Sequence, residues 1–205
     1  MIVIIDYDCG NIASVANMIR KAGHKSLVSS QAEDIAQASA LILPGVGSFD
    51  HGIKQLRARG LPEQITERVA AGVPVLGVCL GMQLLTLGSE EGDMQGLGLV
   101  RAHVKRFSFP PERRLPVPHV GWNKAVAHKD NPLLPRDGQE RRFYFVHSYY
   151  VQCELDDDVL CETDYGVRFA SGFSNGDVYG VQFHPEKSHR FGLDLFSRFL
   201  KVARA

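Results

Sequence analysis

The sequence predicts a single α/β domain over residues 1–205, built on a mixed, mostly parallel central sheet. Three observations carry that expectation. Short, wholly apolar runs alternate with helical patterns through the first half, as in a parallel sheet covered on both faces. The second half runs strand after strand, with an Asn175-Gly176 turn between two alternating segments. An amphipathic stretch then closes the chain, with Leu193, Phe196, Phe199 and Leu200 on one face.

Taken in order, Ile2–Ile5 reads as a buried strand. Asn11 is placed to cap a helix from about Ile12 to Ala22, with Ile12, Val15, Ala16 and Ile19 on one face and Gly23 as its stop. Ala40–Leu43 is a second apolar run, ended by Pro44-Gly45-Val46-Gly47. A helical stretch covers about Leu61 to Ala71. Val73–Val78 is a third buried strand, and Leu80–Leu87 reads as a helix. Trp122–Ala127, Phe143–Val146, Tyr149–Cys153, Val167–Phe173 and Val178–Phe183 read as strands. The stretch Phe107–Pro118, with four prolines, reads as irregular. No internal repeat or low-complexity linker interrupts this pattern.

Composition excludes several classes. Lys plus Arg and Asp plus Glu are 23 each, so no overall basic field exists to hold nucleic acid or an anionic membrane. The adjacent pairs Arg113-Arg114 and Arg141-Arg142 read as solvated loop charges. Met1-Ile-Val-Ile-Ile-Asp6 lacks the basic start and long apolar stretch of a signal peptide, and no run approaches membrane-spanning length. A cytosolic protein is expected. The four cysteines, at 9, 79, 153 and 161, form no C-x-x-C pair, so neither a zinc site nor any other metal or cofactor is expected. Cys153 and Cys161 read as small hydrophobes in strands. His24, His51, His128 and His189 read as surface residues.

Chemistry concentrates at two places. In Gly77-Val-Cys79-Leu-Gly81 a buried strand runs straight into a helix, with glycines two residues either side of the thiol. This is the thiol version of a nucleophile elbow. A helix N-terminus there favours the thiolate, and the Leu80 N–H faces the space where an oxyanion would form. The alternative is a buried cysteine in a tight connection. A thiol nucleophile also needs a base. In His184-Pro185-Glu186, Pro185 biases His184 towards an extended backbone, so residues 184 and 186 point the same way. Glu186 then fixes the imidazole tautomer and leaves the other nitrogen for the thiol. The alternative is a histidine capped by a neighbouring acid at a strand end.

Gly77-Val-Cys79-Leu-Gly-Met-Gln83 with His184-Pro-Glu186 resembles the class I glutamine amidotransferases. Within that family, Pro44–Gly47, Pro118-His-Val-Gly-Trp-Asn123, Phe145-Val-His-Ser-Tyr-Tyr150 and Phe183–Ser188 are most similar to the glutaminase subunits of imidazole glycerol phosphate synthases. The resemblance implies a flavodoxin-like fold. It implies attack by Cys79 on the glutamine amide, a thioester, and release of ammonia and then glutamate with His184 as acid and base.

Gly47, Gln83, Ser148 and Tyr149 should line the glutamine pocket, with Tyr150 in strand packing. Val46 and Gly47 should form an oxyanion strand whose peptide turns inward when a partner binds its acceptor. The implied partner, in a heterodimer, is a (β/α)8-barrel cyclase that uses the ammonia to make imidazole glycerol phosphate and AICAR in histidine biosynthesis. Asn11, Trp122 and Lys187 match positions near that interface, with core packing the alternative for Trp122 and an ordinary exposed lysine for Lys187. Asp8 departs from the family, which usually carries a small residue there, often glycine; it would alter the interface loop or pair with the partner. A paralogue feeding ammonia to another synthase, for example one that amidates surface sugars, therefore stays open. A non-catalytic module would need a lost triad position, and none is lost. A thiol peptidase of the same fold does not account for Gln83 or the glycine-rich strand.

Overall fold

Both faces of a parallel block are covered by helices in the computed structural model, which describes residues 1–113 and 115–203. The elements run β1 (Ile2–Ile5), α1 (Ile12–Lys21), β2 (Ser26–Ser29), α2 (Ala32–Ala36), β3 (Ala40–Gly45), α3 (Phe49–Ala58), α4 (Leu61–Ala70), β4 (Val75–Cys79) and α5 (Leu80–Leu84). The second half adds β5 (Gly88–Ser89), β6 (Ala102–Arg106), β7 (His119–Ala127), β8 (Arg141–His147), β9 (Tyr149–Cys153), β10 (Val159–Asp164), β11 (Arg168–Asn175), β12 (Val178–Val181) and α6 (His189–Val202).

The main path of the sheet is β2-β1-β3-β4-β12-β11-β10-β7-β8. Strands β2 to β12 of that path pair in parallel, and β12-β11 starts an antiparallel extension that continues to β8. β6 and β9 pair with each other, and β9 also touches β11.

The period of two along the parallel strands feeds two separate cores. Ile2, Ile4, Ala40, Ile42, Leu76 and Val78 face α1 and α6, meeting Val15, Ile19, Phe196 and Phe199. Val3, Ile5, Leu41, Leu43 and Val75 face the other way, onto Ile53, Leu56, Ile65 and Leu84. That two-sided burial is why these strands are apolar at every position.

β2, α2, α3, β5 and β6 are absent from the sequence reading, β10 enters it only through Cys161, and local detail departs from it elsewhere as well. Asn11 makes no side-chain capping bond; only its backbone carbonyl accepts, from Val15 N–H at 3.2 Å. α5 stops at Leu84 rather than Leu87, because the chain turns at Thr86 towards the short strand β5; all five of its residues are buried. β12 ends at Val181. The backbone then crosses, with Gln182 N–H donating to Ser171 O and His184 N–H to Tyr144 O, so residue 184 bridges to β8.

The hairpin loop between β11 and β12 is Gly176-Asp177, one residue later than expected, with Gly176 at φ +54°. Arg141 is not a solvated loop charge. It opens β8, is buried, and forks onto both Asp137 oxygens at 2.8 and 2.7 Å, while Arg142 is exposed. Arg114 lies outside the described residues. Among those residues, no helix is long and apolar enough to cross a membrane, and no cluster of metal-binding side chains occurs.

Candidate active site

Cys79 ends β4 and opens α5 with φ +55° and ψ −112°, a backbone conformation that L residues rarely adopt. The flanking glycines make the turn possible by close approach. A Cβ on Gly81 would lie 1.7 Å from the Leu43 carbonyl oxygen, and one on Gly77 would lie 2.7 Å from the Gly81 oxygen and the Met82 nitrogen. Backbone cannot give way like a side chain. Gly81→Ala is therefore expected to destabilise the protein by about 3 kcal/mol. Urea unfolding measures it; a loss under about 1 kcal/mol would contradict the packing.

β4 and β12 are parallel neighbours, with Val78 opposite Val181. The chain leaving β12 therefore passes over the same sheet edge as the elbow, which brings His184 to Cys79. His184 Nδ1–H donates to Glu186 Oε1 at 2.8 Å, and both side chains are 2% exposed. Burial works against a charged ring, but the Cys79 sulfur and the Glu186 carboxylate outweigh it and push the His184 pKa up to about 10. At neutral pH the ring therefore holds its proton, and the charged base stands at the cleft that Cys79 also lines.

These groups open into a cleft of about 250 Å³ lined by Val46, Gly47, Cys79, Leu80, Gln83, Glu91, Pro118, Val146, His147, Ser148, Tyr149 and His184. Every oxyanion and glutamine-pocket residue expected from sequence lines it. Gln83 is partly committed already: its amide nitrogen donates to Gln182 Oε1 at 3.0 Å and to Tyr149 O at 3.4 Å, which leaves its carbonyl for a ligand. Tyr150 packs on Phe107 and Phe169. Asn11, Trp122 and Lys187 do not line the cleft. Trp122 is 46% exposed and stacks on His189, so it is no core residue, and Lys187 sits 5.9 Å over the Tyr144 ring. Asp8 stands at φ +62°, a left-handed conformation that favours glycine, and it pairs with Arg59 of its own chain.

The family model for class-I glutamine amidotransferases matches residues 3–202. The chain belongs to that family. This amidotransferase is 48% identical over 203 residues to imidazole glycerol phosphate synthase subunit HisH 2 of Pseudomonas aeruginosa, covering 98% of the chain and 100% of the relative. It is 46% identical over 204 residues to the HisH 2 subunit of Methanococcus maripaludis, covering 99% and 100%. In fold it is similar to a solved glutamine amidotransferase (TM-score 0.77, 19% identity, 99% of each chain). PurLQS from Thermotoga maritima is also similar in fold (TM-score 0.74, 18% identity, 98% of this chain and 97% of that one).

Three polar residues in or behind the cleft were given no role by the sequence reading. Glu91 reaches the cleft from a loop, where its Oε2 accepts from the Phe49 N–H at 2.8 Å, at the start of α3. Gln182 lies buried beside the elbow, with its amide nitrogen 3.7 Å from the Cys79 sulfur. His147 lines the cleft as part of a buried chain whose tautomers are set by its ends. His147 Nδ1–H donates to Tyr149 O (2.7 Å), so its Nε2 accepts from His119 Nδ1–H (2.9 Å), and His119 Nε2 accepts from Asn123 Nδ2 (3.3 Å).

Burial lowers the His119 pKa to about 4 and that of His147 to about 3, from an ordinary 6.5. The unfolded chain then binds protons that the folded one refuses. Stability should fall as pH drops from about 6.5 towards 4, by roughly 1.4 kcal/mol per unit for each histidine fully within its window. Urea midpoints measured from pH 6.5 to 4.5 should decline; a flat series would show that the pair is not held neutral.

Proposed function

We propose that this chain is the glutaminase subunit of an imidazole glycerol phosphate synthase, acting as one domain that hydrolyses glutamine and hands ammonia to a separate (β/α)8-barrel cyclase. The observation that carries it is the placement of Cys79 and His184, with Glu186 behind the ring, on a cleft that also presents Gln83 and Glu91. The relatives' names supply the synthase.

The chemistry follows from the charges. Glutamine carries an α-ammonium, which the Glu91 carboxylate and the Gln83 carbonyl suit. Its side-chain amide carbon meets the Cys79 thiolate. As the C–S bond forms, the carbonyl oxygen becomes an oxyanion. Leu80 N–H, at the first position of α5, and an N–H from Val46 or Gly47 are the donors at hand. His184 gives its proton to the departing nitrogen, ammonia leaves, and a thioester remains. The neutral ring next takes a proton from water. Hydroxide attacks the thioester, and glutamate leaves as the thiolate and imidazolium reform. Glu186 holds the ring and balances its charge throughout.

The rim supports a docked partner. Val46 (44% exposed) and Val146 line the cleft, Val120 (54% exposed) lies opposite Val146 across the β7-β8 ladder, and Trp122 lies opposite Tyr144 two residues further on. Large apolar side chains grouped at a site mouth mark a contact surface. Lys187 and Trp122 flank that surface. The loop bearing Asn11 packs against the oxyanion strand, since a Cβ on Gly10 would sit 3.3 Å from Pro44 atoms.

Gly47 stands at φ +110°, beside the peptide proposed to turn. If docking supplies one oxyanion donor, glutamine hydrolysis should rise by about 10²-fold when the cyclase and its nucleotide ligand are added. Hydrolysis by the isolated chain equal to that of the complex would rule out the gated strand. No response to the cyclase would favour the second reading, a paralogue serving another synthase. Asp8 and the numbered names of the two HisH 2 relatives motivate that reading.

A further inference from the structure

A buried primary amide that reaches a nucleophilic sulfur needs an account, and Gln182 is one. It lies between the end of β12 and His184 and is 0% exposed. Its Oε1 accepts from Gln83 Nε2 at 3.0 Å, and its own Nε2–H points to Cys79 Sγ at 3.7 Å, the range of an N–H···S bond. We propose that Gln182 is a further catalytic residue: its amide donates to the Cys79 sulfur and holds it as a thiolate, while Gln83 fixes which end of the amide faces that sulfur. This rests on Cys79 being the glutaminase nucleophile.

The orientation is determined by neighbours. Gln83 presents its NH2 to Gln182 because the same NH2 also meets Tyr149 O. That carbonyl is held in turn by His147, His119 and Asn123. Turning the Gln182 amide over would set NH2 against NH2 and a carbonyl oxygen against the sulfur, two repulsive contacts in a buried place. The donor therefore faces the sulfur in every state in which the chain of bonds is intact.

The consequence falls on both chemical steps. A thiolate beside an imidazolium has one charged partner; Gln182 supplies a neutral second one. When acylation converts the sulfur to a thioester its charge disappears, and the donor stabilises it less. When the thioester breaks, the same donor favours the departing thiolate. Gln182 thus acts on the nucleophile and leaving group, whereas Gln83 and Glu91 act on the substrate's far end.

The decisive measurement is the pH dependence of iodoacetamide alkylation at Cys79, followed by mass spectrometry in wild type, Gln182→Glu and Gln182→Met. Thermal melting identifies which variants fold. Gln182→Glu keeps the shape but sets a carboxylate beside the sulfur. Its alkylation midpoint should move up by about one pH unit or more, a roughly tenfold slower reaction below the midpoint. Gln182→Met should move it in the same direction by less. In both, glutamine kcat should fall by a similar factor with KM changed less than twofold.

Folded variants that keep the wild-type midpoint would overturn the proposal. If neither variant folds, the wild type labelled with ¹⁵N-glutamine decides. The Gln182 side-chain amide signal should titrate with Cys79 and stop doing so in Cys79→Ala; a signal indifferent to Cys79 overturns it. Alkylation consumes no glutamine. A wild type that hydrolyses none would therefore sink the glutaminase reading and leave the thiolate result interpretable by itself.

Discussion

Cys79→Ala is expected to abolish glutamine hydrolysis, with a fall in kcat of at least about 10³-fold and little change in stability. The activity loss follows from the chemistry: without sulfur there is no thioester, and His184 and Glu186 alone have no covalent route. The small stability change follows from the site. The side chain removed is small and lies at the edge of a cleft, so its loss adds little cavity. Alanine keeps the strained turn no worse than cysteine does, since both carry a Cβ at φ +55°.

Labelling sharpens the test. A glutamine-like diazo-ketone should modify Cys79 and spare the others. Burial pushes the Cys153 and Cys161 thiols up to about 12, and that of Cys9 is raised as well by burial and by Asp8, so all three stay protonated. Mass spectrometry that finds the label on any of those three, or turnover surviving in Cys79→Ala, would remove the nucleophile from the mechanism.

What could be read from the sequence divides along a physical line. The parallel strands were legible because burial on two faces writes itself as an unbroken apolar run, as in Ile2–Ile5. The placement of Cys79 at a strand-to-helix turn and of Glu186 against His184 was legible because each depends on its immediate neighbours: glycines two residues from Cys79, and Pro185 between His184 and Glu186. The edge strand β2 and the helices α2 and α3 were not. β2 is four residues long with serine at both ends, and α3 carries Gly52 and starts directly after a glycine-rich loop.

The same line runs through the site. Glu91 reaches the cleft only because it meets a backbone N–H forty-two residues earlier, and Gln182 meets Gln83 across ninety-nine residues. No local pattern encodes such meetings. Trp122 is a simpler case. Core packing was the alternative to an interface position for this lone tryptophan, and alternation along β7 removes that alternative by turning residues 120, 122 and 126 outward.

Glu186→Gln is expected to lower kcat by about 10² to 10⁴-fold while leaving the protein as stable as before or more so. The two effects have one cause. Glu186 Oε2 and His184 Nε2 are buried atoms with no hydrogen-bond partner among the described residues. A carboxylate buried this way is held against its desolvation cost by the imidazolium it faces, and one of its oxygens gains nothing in return. Glutamine in its place carries no charge to desolvate, which is why stability should not drop.

Catalysis suffers because the ring loses what keeps it charged. The His184 pKa is raised by the Cys79 sulfur and by Glu186 against burial. With the carboxylate gone, the ring's pKa falls and the imidazolium is less populated at neutral pH. An amide can also present NH2 to Nδ1, which selects the tautomer with its proton on Nε2 and leaves no acceptor for the proton of water. Melting temperature and kcat for Glu186→Gln, measured together, separate this account from a structural one. A kcat loss that tracks a lower melting temperature would mean Glu186 serves the fold. A loss at unchanged or higher melting temperature means the protein keeps an unsatisfied carboxylate because the reaction requires its charge.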